Sequence, residues 1–283
     1  MDYIEEAVNK AVEDGRLDIL MDFHKKYKNK CYWYKETCLI AAQYGHLYCL
    51  KYLHENRFRW TSLTCRYAAK HGHLECLKYA HENGCPWDEY TCYSAAAQNH
   101  LECLRYAHKN GCPWNADTCL IAAYTGQLDC LKYAHENGCP WDERTCRVAA
   151  ENHLECLKYA HENGCPWDEY TCFYAATSGH IECLRYAYKN GCPWNADTCL
   201  IAAQKGHFDC LKYAHENGCP YPKELMPTIV KKILIPKWCA SVKIRPIVIY
   251  WMERSAQTSC AENGRARIED IISFENDFNS LVL

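Results

Sequence analysis

The chain has 283 residues, a formal net charge of −3 and 23 cysteines. A balance this close to neutral argues against nucleic-acid binding, which needs a basic face to contact phosphates. No secretory signal opens the chain, and no uncharged apolar run approaches the ~18 residues that span a membrane. The composition therefore predicts a soluble protein without membrane or nucleic-acid partners.

A strict repeat fills residues 37–222, after a segment (1–36) that is predicted to be an N-terminal capping half-repeat. The dipeptide Thr-Cys recurs in steps of 27 residues, with a single step of 26. A fixed period of this length is typical of solenoids, in which each unit buries its apolar face only by stacking on its neighbours. The seven units begin at Thr37, Thr64, Thr91, Thr118, Thr145, Thr171 and Thr198.

The unit around Thr91 illustrates the predicted helix–turn–helix. Asp88 can cap a first helix, and Cys92 with the Ala-Ala pair after it forms its apolar stripe. We expect Thr91 to hydrogen-bond back toward this cap. Asn99 is predicted to end this helix, and every repeat has Gly or Asn at its position. A second helix is expected over about residues 101–110. The pattern predicts an all-α solenoid of stacked helical hairpins with helical caps at both ends.

One unit is a residue shorter than the others. In the unit that begins at Thr145, a residue is missing after the Ala-Ala pair, and Asn152 comes one position early. A deletion inside a helix rotates the subsequent residues by about 100° unless the end of the helix absorbs it. We therefore expect a tightened end of the first helix in this unit.

The segment 68–77, Ala-Ala-Lys-His-Gly-His-Leu-Glu-Cys-Leu, resembles the core of the ankyrin repeat. Ankyrin units run 33 residues, so the units here are shorter by about six. The missing residues fall where an ordinary ankyrin repeat has a longer projecting hairpin, whose tips often carry partner contacts in the family. The resemblance implies an ankyrin-like fold and a protein-binding function, with binding shifted onto the first helices.

Two recurring segments narrow the resemblance. Units with Gly-Cys-Pro-Trp-Asp-Glu and Leu-Lys-Tyr-Ala-His-Glu-Asn are similar to the ankyrin-type arrays of giant DNA viruses that infect amoebae, and the C-terminal segment is similar to the ends of Marseillevirus-type ankyrin proteins. This resemblance implies a monomer in the cytoplasm of an infected cell or in the virion. Its partner would be a host or viral protein.

Residues 223–283 break the period and are predicted to be a C-terminal helical cap or a docking module for a second protein. Residues 221–225 faintly resemble the opening of an F-box, which some viral ankyrin proteins carry at this end. That leaves open a role as a substrate adaptor of a host ubiquitin ligase. A structural virion component is the other alternative, and cations interleaved with Ile and Trp leave membrane-surface binding open for the tail.

The cysteines are predicted to be small apolar core residues. Most occupy three fixed places in each unit, as at Cys92, Cys103 and Cys112. Structural zinc sites usually bring ligands as pairs two to four residues apart, and the sequence has no Cys-x-x-Cys pair. We expect no metal and no cofactor, with redox-active thiols as the alternative.

Histidine recurs twice per unit, and both series are predicted to be structural. One series comes directly after the Gly or Asn stop and becomes Gln127 once, which favours hydrogen bonding between helices. The other becomes Tyr188 once, which favours packing. Neither series comes with a nucleophile, a matched base and an orienting group. The protein is therefore not expected to be an enzyme, and it has no candidate catalytic residues.

Partner contacts are predicted at the positions that vary among otherwise similar units, on the first helix opposite its Cys-Ala-Ala stripe. Tyrosine and arginine, the usual anchors of binding interfaces, are frequent there. The alternative for each of these side chains is packing against the next repeat. The predicted binding residues are Tyr67, Lys70, Tyr90, Tyr124, Arg144, Arg147, Tyr170, Tyr174 and Lys205.

Overall fold

The computed structural model describes residues 2–27 and 36–220, and the regular structure in these two ranges is entirely helical. The first eight helices are α1 (Asp2–Glu13), α2 (Leu17–Tyr27), α3 (Thr37–Gln43), α4 (Leu47–Glu55), α5 (Ser62–Lys70), α6 (Leu74–Glu82), α7 (Glu89–Ala97) and α8 (Leu101–Lys109). The next eight are α9 (Ala116–Tyr124), α10 (Leu128–Glu136), α11 (Glu143–Ala150), α12 (Leu154–Glu162), α13 (Glu169–Ser178), α14 (Ile181–Lys189), α15 (Ala196–Lys205) and α16 (Phe208–Glu216).

The described residues form two compact units. Unit 1 contains residues 2–27, 36–149 and 153–167, and unit 2 contains residues 150–152 and 168–220. We call the odd-numbered helices from α3 to α15 the first helices and the even-numbered helices from α4 to α16 the second helices. In unit 1, α3, α5 and α7 each pack on their own second helix and on the next first helix, and in unit 2 α13 packs likewise on α14 and α15. The predicted all-α solenoid of stacked hairpins is confirmed.

The helix pair α7 and α8 shows why this sequence forms a hairpin. The carboxylate of Asp88 accepts a hydrogen bond from the Tyr90 backbone N–H at 3.2 Å, and so caps α7. Cys92 and the alanines Ala95 and Ala96 are fully buried, and their small side chains let α8 approach closely. Asn99 has a φ of 61°, the left-handed conformation predicted for the end of this helix.

The Thr-Cys threonines depart from the sequence prediction. The Thr91 backbone N–H donates to the Asp88 carbonyl at 2.9 Å, as a helical turn requires, but the buried Thr91 hydroxyl has no hydrogen-bond partner among the described residues. The expected side-chain bond back to the cap is therefore wrong. The same holds for the equivalent buried hydroxyls of Thr64, Thr118, Thr145, Thr171 and Thr198.

The short unit absorbs its missing residue at the end of α11, as expected. In the full-length units the residue before the second helix donates its N–H to a carbonyl five positions back, as His100 does to Ala95 at 2.9 Å. His153 instead donates to Ala149, four positions back, at 2.8 Å. The tighter turn keeps His153 beside Gly126, where the other histidines of this series lie relative to their glycines.

The N-terminal segment contains a complete helical pair. Helix α1 packs on α2 and on α3, and α2 packs on α4, so both helices continue the stack of unit 1. The division into a cap (1–36), an array (37–222) and a C-terminal segment (223–283) stays a prediction. Residues 223–283 lie outside the described residues.

Candidate functional site

The outer side of the first helices carries exposed aromatic rings. Tyr90 is 48% exposed, Tyr124 51% and Tyr170 46%, although each helix buries its Cys-Ala-Ala stripe completely or almost completely. Tyr67 and Tyr174 are half-buried. Rings held on rigid helices and half open to solvent have apolar area still to bury, which is what a protein partner needs from a contact residue.

A groove crosses three successive first helices of unit 1, namely α5, α7 and α9. We call it the basic groove; its walls include Arg66, Tyr67, Lys70, Tyr93, Ile121 and Thr125. Tyr67 and Lys70 were predicted from the sequence, but the other four were missed. Arg66 and Tyr93 occupy equivalent places, directly after Cys in neighbouring repeats. This shared position was the signal that could have predicted both as groove residues.

The arginines of the predicted set already have partners in unit 1. Arg144 lies 2.9 Å from the Asp142 carboxylate and 3.4 Å from that of Asp117. Arg147 lies 3.6 Å from Glu143 on the same helix. These contacts hold both guanidinium groups against α11 and its neighbour, so the two arginines are less available to a partner than the sequence suggested.

Unit 2 contains the remaining predicted residues. Phe173 lies between two of them on α13, with its ring centroid 6.2 Å from that of Tyr170 and 5.8 Å from that of Tyr174. Lys205 is exposed and ends α15. The predicted residues are thus divided between the two units, and within unit 2 the tyrosines form one aromatic cluster on a first helix.

The second helices present a different face, made of aromatic layers. His108 stacks on Trp114 with centroids 3.9 Å apart, and its Nδ1 pairs with the Tyr133 hydroxyl at 3.0 Å. Burial lowers the pKa of His108, which keeps the imidazole neutral and able to accept that bond. Arg105 lies 4.9 Å from the centroid of the Tyr133 ring and 3.7 Å from Glu102. The rings and the cation of this layer therefore contact groups within the repeats.

The same layer recurs along the chain. In unit 1 it contains His54, Trp60 and Tyr79; then His81, Trp87 and Tyr106; and then His135, Trp141 and Tyr159. In unit 2 Tyr188 replaces histidine, stacks on Trp194 at 3.8 Å and donates its hydroxyl to the Asn217 carbonyl at 2.9 Å. The predicted packing role of this series is confirmed. Sequence reasoning missed the tryptophan and tyrosine, although both recur at fixed spacing from the histidine.

A family model that describes ankyrin repeats in many copies matches residues 38–81 and 172–215. These segments lie within α3 to α6 of unit 1 and α13 to α16 of unit 2. Over these two segments the helical pairs are similar to ankyrin repeats. Among solved structures, the human ASB11 ankyrin repeat domain is similar at a TM-score of 0.47 and 18% identity, covering 56% of this chain and 84% of that one. No curated protein matches the sequence.

The histidine series that follows the Gly or Asn stop joins successive repeats, as predicted. His46 Nε2–H donates to the Glu13 carbonyl at 2.8 Å, and His73 Nε2–H donates to the Gln43 carbonyl at 3.0 Å. The two acceptors are the last residues of α1 and α3. Each imidazole also fills the space beside a glycine of the preceding repeat; a Cβ on Gly72 would lie 2.5 Å from His100 Nδ1. At His46, His73 and His100 the imidazole therefore leaves no room for a Cβ on the glycine one repeat earlier.

Gln127 is the informative exception in this series. One repeat earlier, the residue at the glycine position is Asn99, which has a left-handed φ like those glycines but carries a Cβ. Gln127 turns away and donates to the Thr125 carbonyl at 2.9 Å, while the Cys130 thiol lies 3.7 Å from the Asn99 side-chain oxygen. The two substitutions thus compensate each other across the boundary between repeats.

The twenty cysteines of the described ranges are buried with free thiols. Burial raises the pKa of the thiols of Cys38, Cys103 and Cys130 to about 12, so they stay protonated at neutral pH. Six thiols recur after the second helices; Cys112 donates to the Asp88 carbonyl at 3.2 Å, which ties the end of α8 to the start of α7. The described residues contain no cluster of His, Cys, Asp and Glu suited to a metal ion.

The described residues contain no helix that is both long enough and apolar enough to cross a bilayer. The outward groups of the two helical faces include rings, hydroxyls, carboxylates, guanidinium and ammonium groups.

Proposed function

We propose that this protein is a non-enzymatic scaffold that binds another protein through the first helices of its ankyrin repeats. Repeats of this family generally mediate protein–protein interaction. The observation that supports the choice of face is the contrast between the two sides. Rings at Tyr90, Tyr124 and Tyr170 are about half exposed, whereas rings of the second helices stack on one another and hydrogen-bond internally.

The expected free energy of binding also favours the outer face of the first helices. Binding interfaces take most of their free energy from a few rigid aromatic and arginine side chains that become fully desolvated. A tyrosine such as Tyr124 loses little conformational freedom on binding, because its helix is already held in the stack. The second-helix cations offer less, since Lys78, Arg105 and Lys158 already form ion pairs with a glutamate three residues earlier.

The resemblance of the short repeats to those of amoeba-infecting giant viruses supports a place for this function. We propose a role in the cytoplasm of an infected host cell, with a host or viral protein as the partner. A spacer in the virion would need the array but no particular first-helix side chain. A ubiquitin-ligase adaptor would need residues 223–283 as well as the array.

The test uses the full chain as bait in extracts of infected amoebae and of purified virions. One variant replaces Tyr90, Tyr124 and Tyr170 with Ala; the control replaces the exposed second-helix residues Lys109, Glu136 and Lys189 with Ala. We expect the first variant to lose the partner that the natural protein captures, and the control to retain it.

Hydrogen exchange then locates the contact independently of mutation. Binding of the captured partner should slow exchange of amides on the first helices and leave the second helices unchanged. The proposed face is wrong if the tyrosine variant, folded by circular dichroism, still captures the partner or if protection appears on the second helices. Capture that disappears only on deletion of residues 223–283 would favour the adaptor role.

A further inference from the structure

The basic groove of unit 1 differs from other grooves of the described chain in its charge. Its walls include Arg66 and Lys70 but no carboxylate. A groove on α1 is lined by three glutamates and a single lysine, and a groove between α14 and α16 has two carboxylates beside its two cations. The basic groove therefore has an uncompensated positive charge.

Among the described residues, the two cations of the groove contact two rings and one hydroxyl. Arg66 donates from Nε to the Ser94 hydroxyl at 3.3 Å, and its guanidinium lies 5.0 Å from the centroid of the Tyr90 ring. Lys70 Nζ lies 5.5 Å from the centroid of the Tyr67 ring. Neither takes part in the ion pairs of the described residues, which do include most cations of the second helices.

Arg66 is also held in a fixed place. Its hydrogen bond reaches from α5 to α7, so the guanidinium is oriented across two repeats and keeps most of its N–H donors for another group. An arginine whose side chain is already ordered loses little entropy when it binds a carboxylate, and its planar fork matches two carboxylate oxygens.

The rest of the groove is suited to an apolar side chain. The rings of Tyr67 and Tyr93 stand on neighbouring first helices, with Ala97 and Ile121 between and beyond them. The groove thus combines two cations with aromatic and aliphatic side chains and with the uncharged polar residues Ser94, Gln98 and Thr125. That combination fits a polypeptide in which acidic residues alternate with aromatic or aliphatic ones.

We propose that the basic groove binds an acidic segment of the partner protein, with carboxylates at Arg66 and Lys70 and an apolar side chain between Tyr67 and Tyr93. The assignment rests on the proposed function, because it specifies the partner's chemistry at one part of the first-helix face. It adds a specific consequence: the affinity depends on salt and on the carboxylates of the partner.

The probe is a short fluorescein-labelled peptide in which Glu alternates with Phe and Leu; its counterpart has Gln in place of Glu. Binding to the full chain is measured by fluorescence anisotropy. We expect the Glu peptide to bind at least roughly tenfold more tightly than the Gln peptide. Raising NaCl from about 50 mM to about 200 mM should weaken binding of the Glu peptide several-fold, because the contacts are charged and half open to solvent.

Matched variants assign the binding to the groove. Arg66→Gln with Lys70→Gln should lower the affinity for the Glu peptide at least roughly tenfold. The control, Lys78→Gln with Lys132→Gln, removes the same charge from second helices of the same unit and should bind as the natural protein does. A second variant, Ala97→Glu, places a carboxylate in the groove and should also abolish binding; Glu151 stands directly after its Ala-Ala pair in the same way, so a repeat tolerates this residue.

Four outcomes would overturn the assignment. These are equal binding of both peptides, equal loss in the control variant, unchanged binding by Ala97→Glu, or binding only after deletion of the acidic residues 255–283, which would make the chain's own end the occupant. If the peptide fails but the tyrosine variant still loses the natural partner, only the chemistry proposed for the groove is wrong. If that variant keeps the natural partner, the proposed function itself is wrong.

Discussion

The first and second helices of this array share one interior but differ in what they present outward. The second helices are nearly the same sequence from repeat to repeat, and Leu-Glu-Cys-Leu-Lys-Tyr-Ala-His-Glu occurs as both α6 and α12. Their outward rings and cations bind one another. The first helices keep Thr, Cys and the Ala-Ala pair, while the residues after Cys change from Arg66 to Tyr93 to Leu120.

The difference indicates where each kind of constraint acts. A second-helix side chain such as Tyr133 contacts a histidine, a tryptophan and an arginine, so that exchanging any of them disturbs a whole layer. A first-helix side chain such as Tyr124 has half its surface in solvent and can change without disturbing the stack. Repeats can therefore be copied for stability and still vary in recognition.

The largest change in the free energy of unfolding is expected on raising the pH, because the interior shared by the two kinds of helix contains many buried thiols. Cys38 on a first helix and Cys103 on a second helix have a thiol pKa raised to about 12 in the folded protein, against ~8.5 in an unfolded chain. Above about pH 8.5 the unfolded chain loses thiol protons that the folded chain keeps, so the free energy of unfolding falls as pH rises. Each thiol contributes up to about 1.4 kcal/mol per pH unit.

With so many buried thiols, we expect cooperative unfolding well below the folded-state pKa values. The measurement is urea or thermal unfolding by circular dichroism between about pH 7.5 and about pH 10. A variant with Cys103→Ala and Cys130→Ala should show a shallower slope. Native protein should react with thiol reagents only as it unfolds. Rapid reaction at neutral pH would show that the thiols are not in the interior.

Two glycines, one at the end of a first helix and one at the end of a second helix, differ in how much space surrounds them. Gly72 ends a first helix with a φ of +76°, and an added Cβ would lie 2.5 Å from His100; Gly84 ends a second helix with a φ of +83° and open space around it. Gly84→Ala should cost about 1 kcal/mol for the left-handed backbone alone. Gly72→Ala should cost about 3 kcal/mol, because the imidazole must also move.

Rescue makes this prediction specific. Adding His100→Gln to Gly72→Ala should recover much of the difference in the free energy of unfolding, because the array already pairs Asn99 with Gln127 at the equivalent place. Urea denaturation of the four proteins measures all these differences. Equal costs for the two glycine variants would contradict the contact between Gly72 and His100.

Ring deletions compare the two faces directly and include the smallest effect expected, that of Tyr124→Ala. Trp114 is half-buried and stacks on His108, so Trp114→Ala should lower the free energy of unfolding by about 2–3 kcal/mol, mainly in the adjoining repeats. Tyr124→Ala should change it by no more than about 0.5 kcal/mol. Hydrogen exchange measures both, and loosening along the whole chain in the Trp114 variant would contradict the layered arrangement.

Much of the fold could be predicted from the sequence because its signals are local and repeated. The caps at Asp88 and Asn99, the buried Cys92 and the structural roles of the two histidine series, one hydrogen bonding and one packing, could be derived from spacing within one repeat. The hydroxyl of Thr91 was placed wrongly, because helical spacing gives the position of a side chain but not the direction of its buried oxygen.

The candidate site was harder to predict because it depends on contacts between successive repeats. The basic groove needs Arg66 and Tyr93, which are 27 residues apart in the chain and adjacent only after stacking. Arg144 was predicted as a binding anchor, but it contacts Asp117, again across a repeat boundary. Spacing within one repeat indicates which face of the helix a side chain lies on. It does not indicate which side chains already contact a residue of the neighbouring repeat.

The contact between a histidine and the glycine one repeat earlier has an evolutionary consequence. Residues 64–144 closely match residues 145–222, so the array carries a duplicated block. Asn99 and Gln127 in the first copy correspond to Gly179 and His207 in the second; both members of the pair differ together, although they belong to different repeats. Recombination that inserted or removed a single repeat between them would separate the pair. Exchange in blocks of several repeats preserves all but the outermost boundaries, which is the kind of duplication that this chain records.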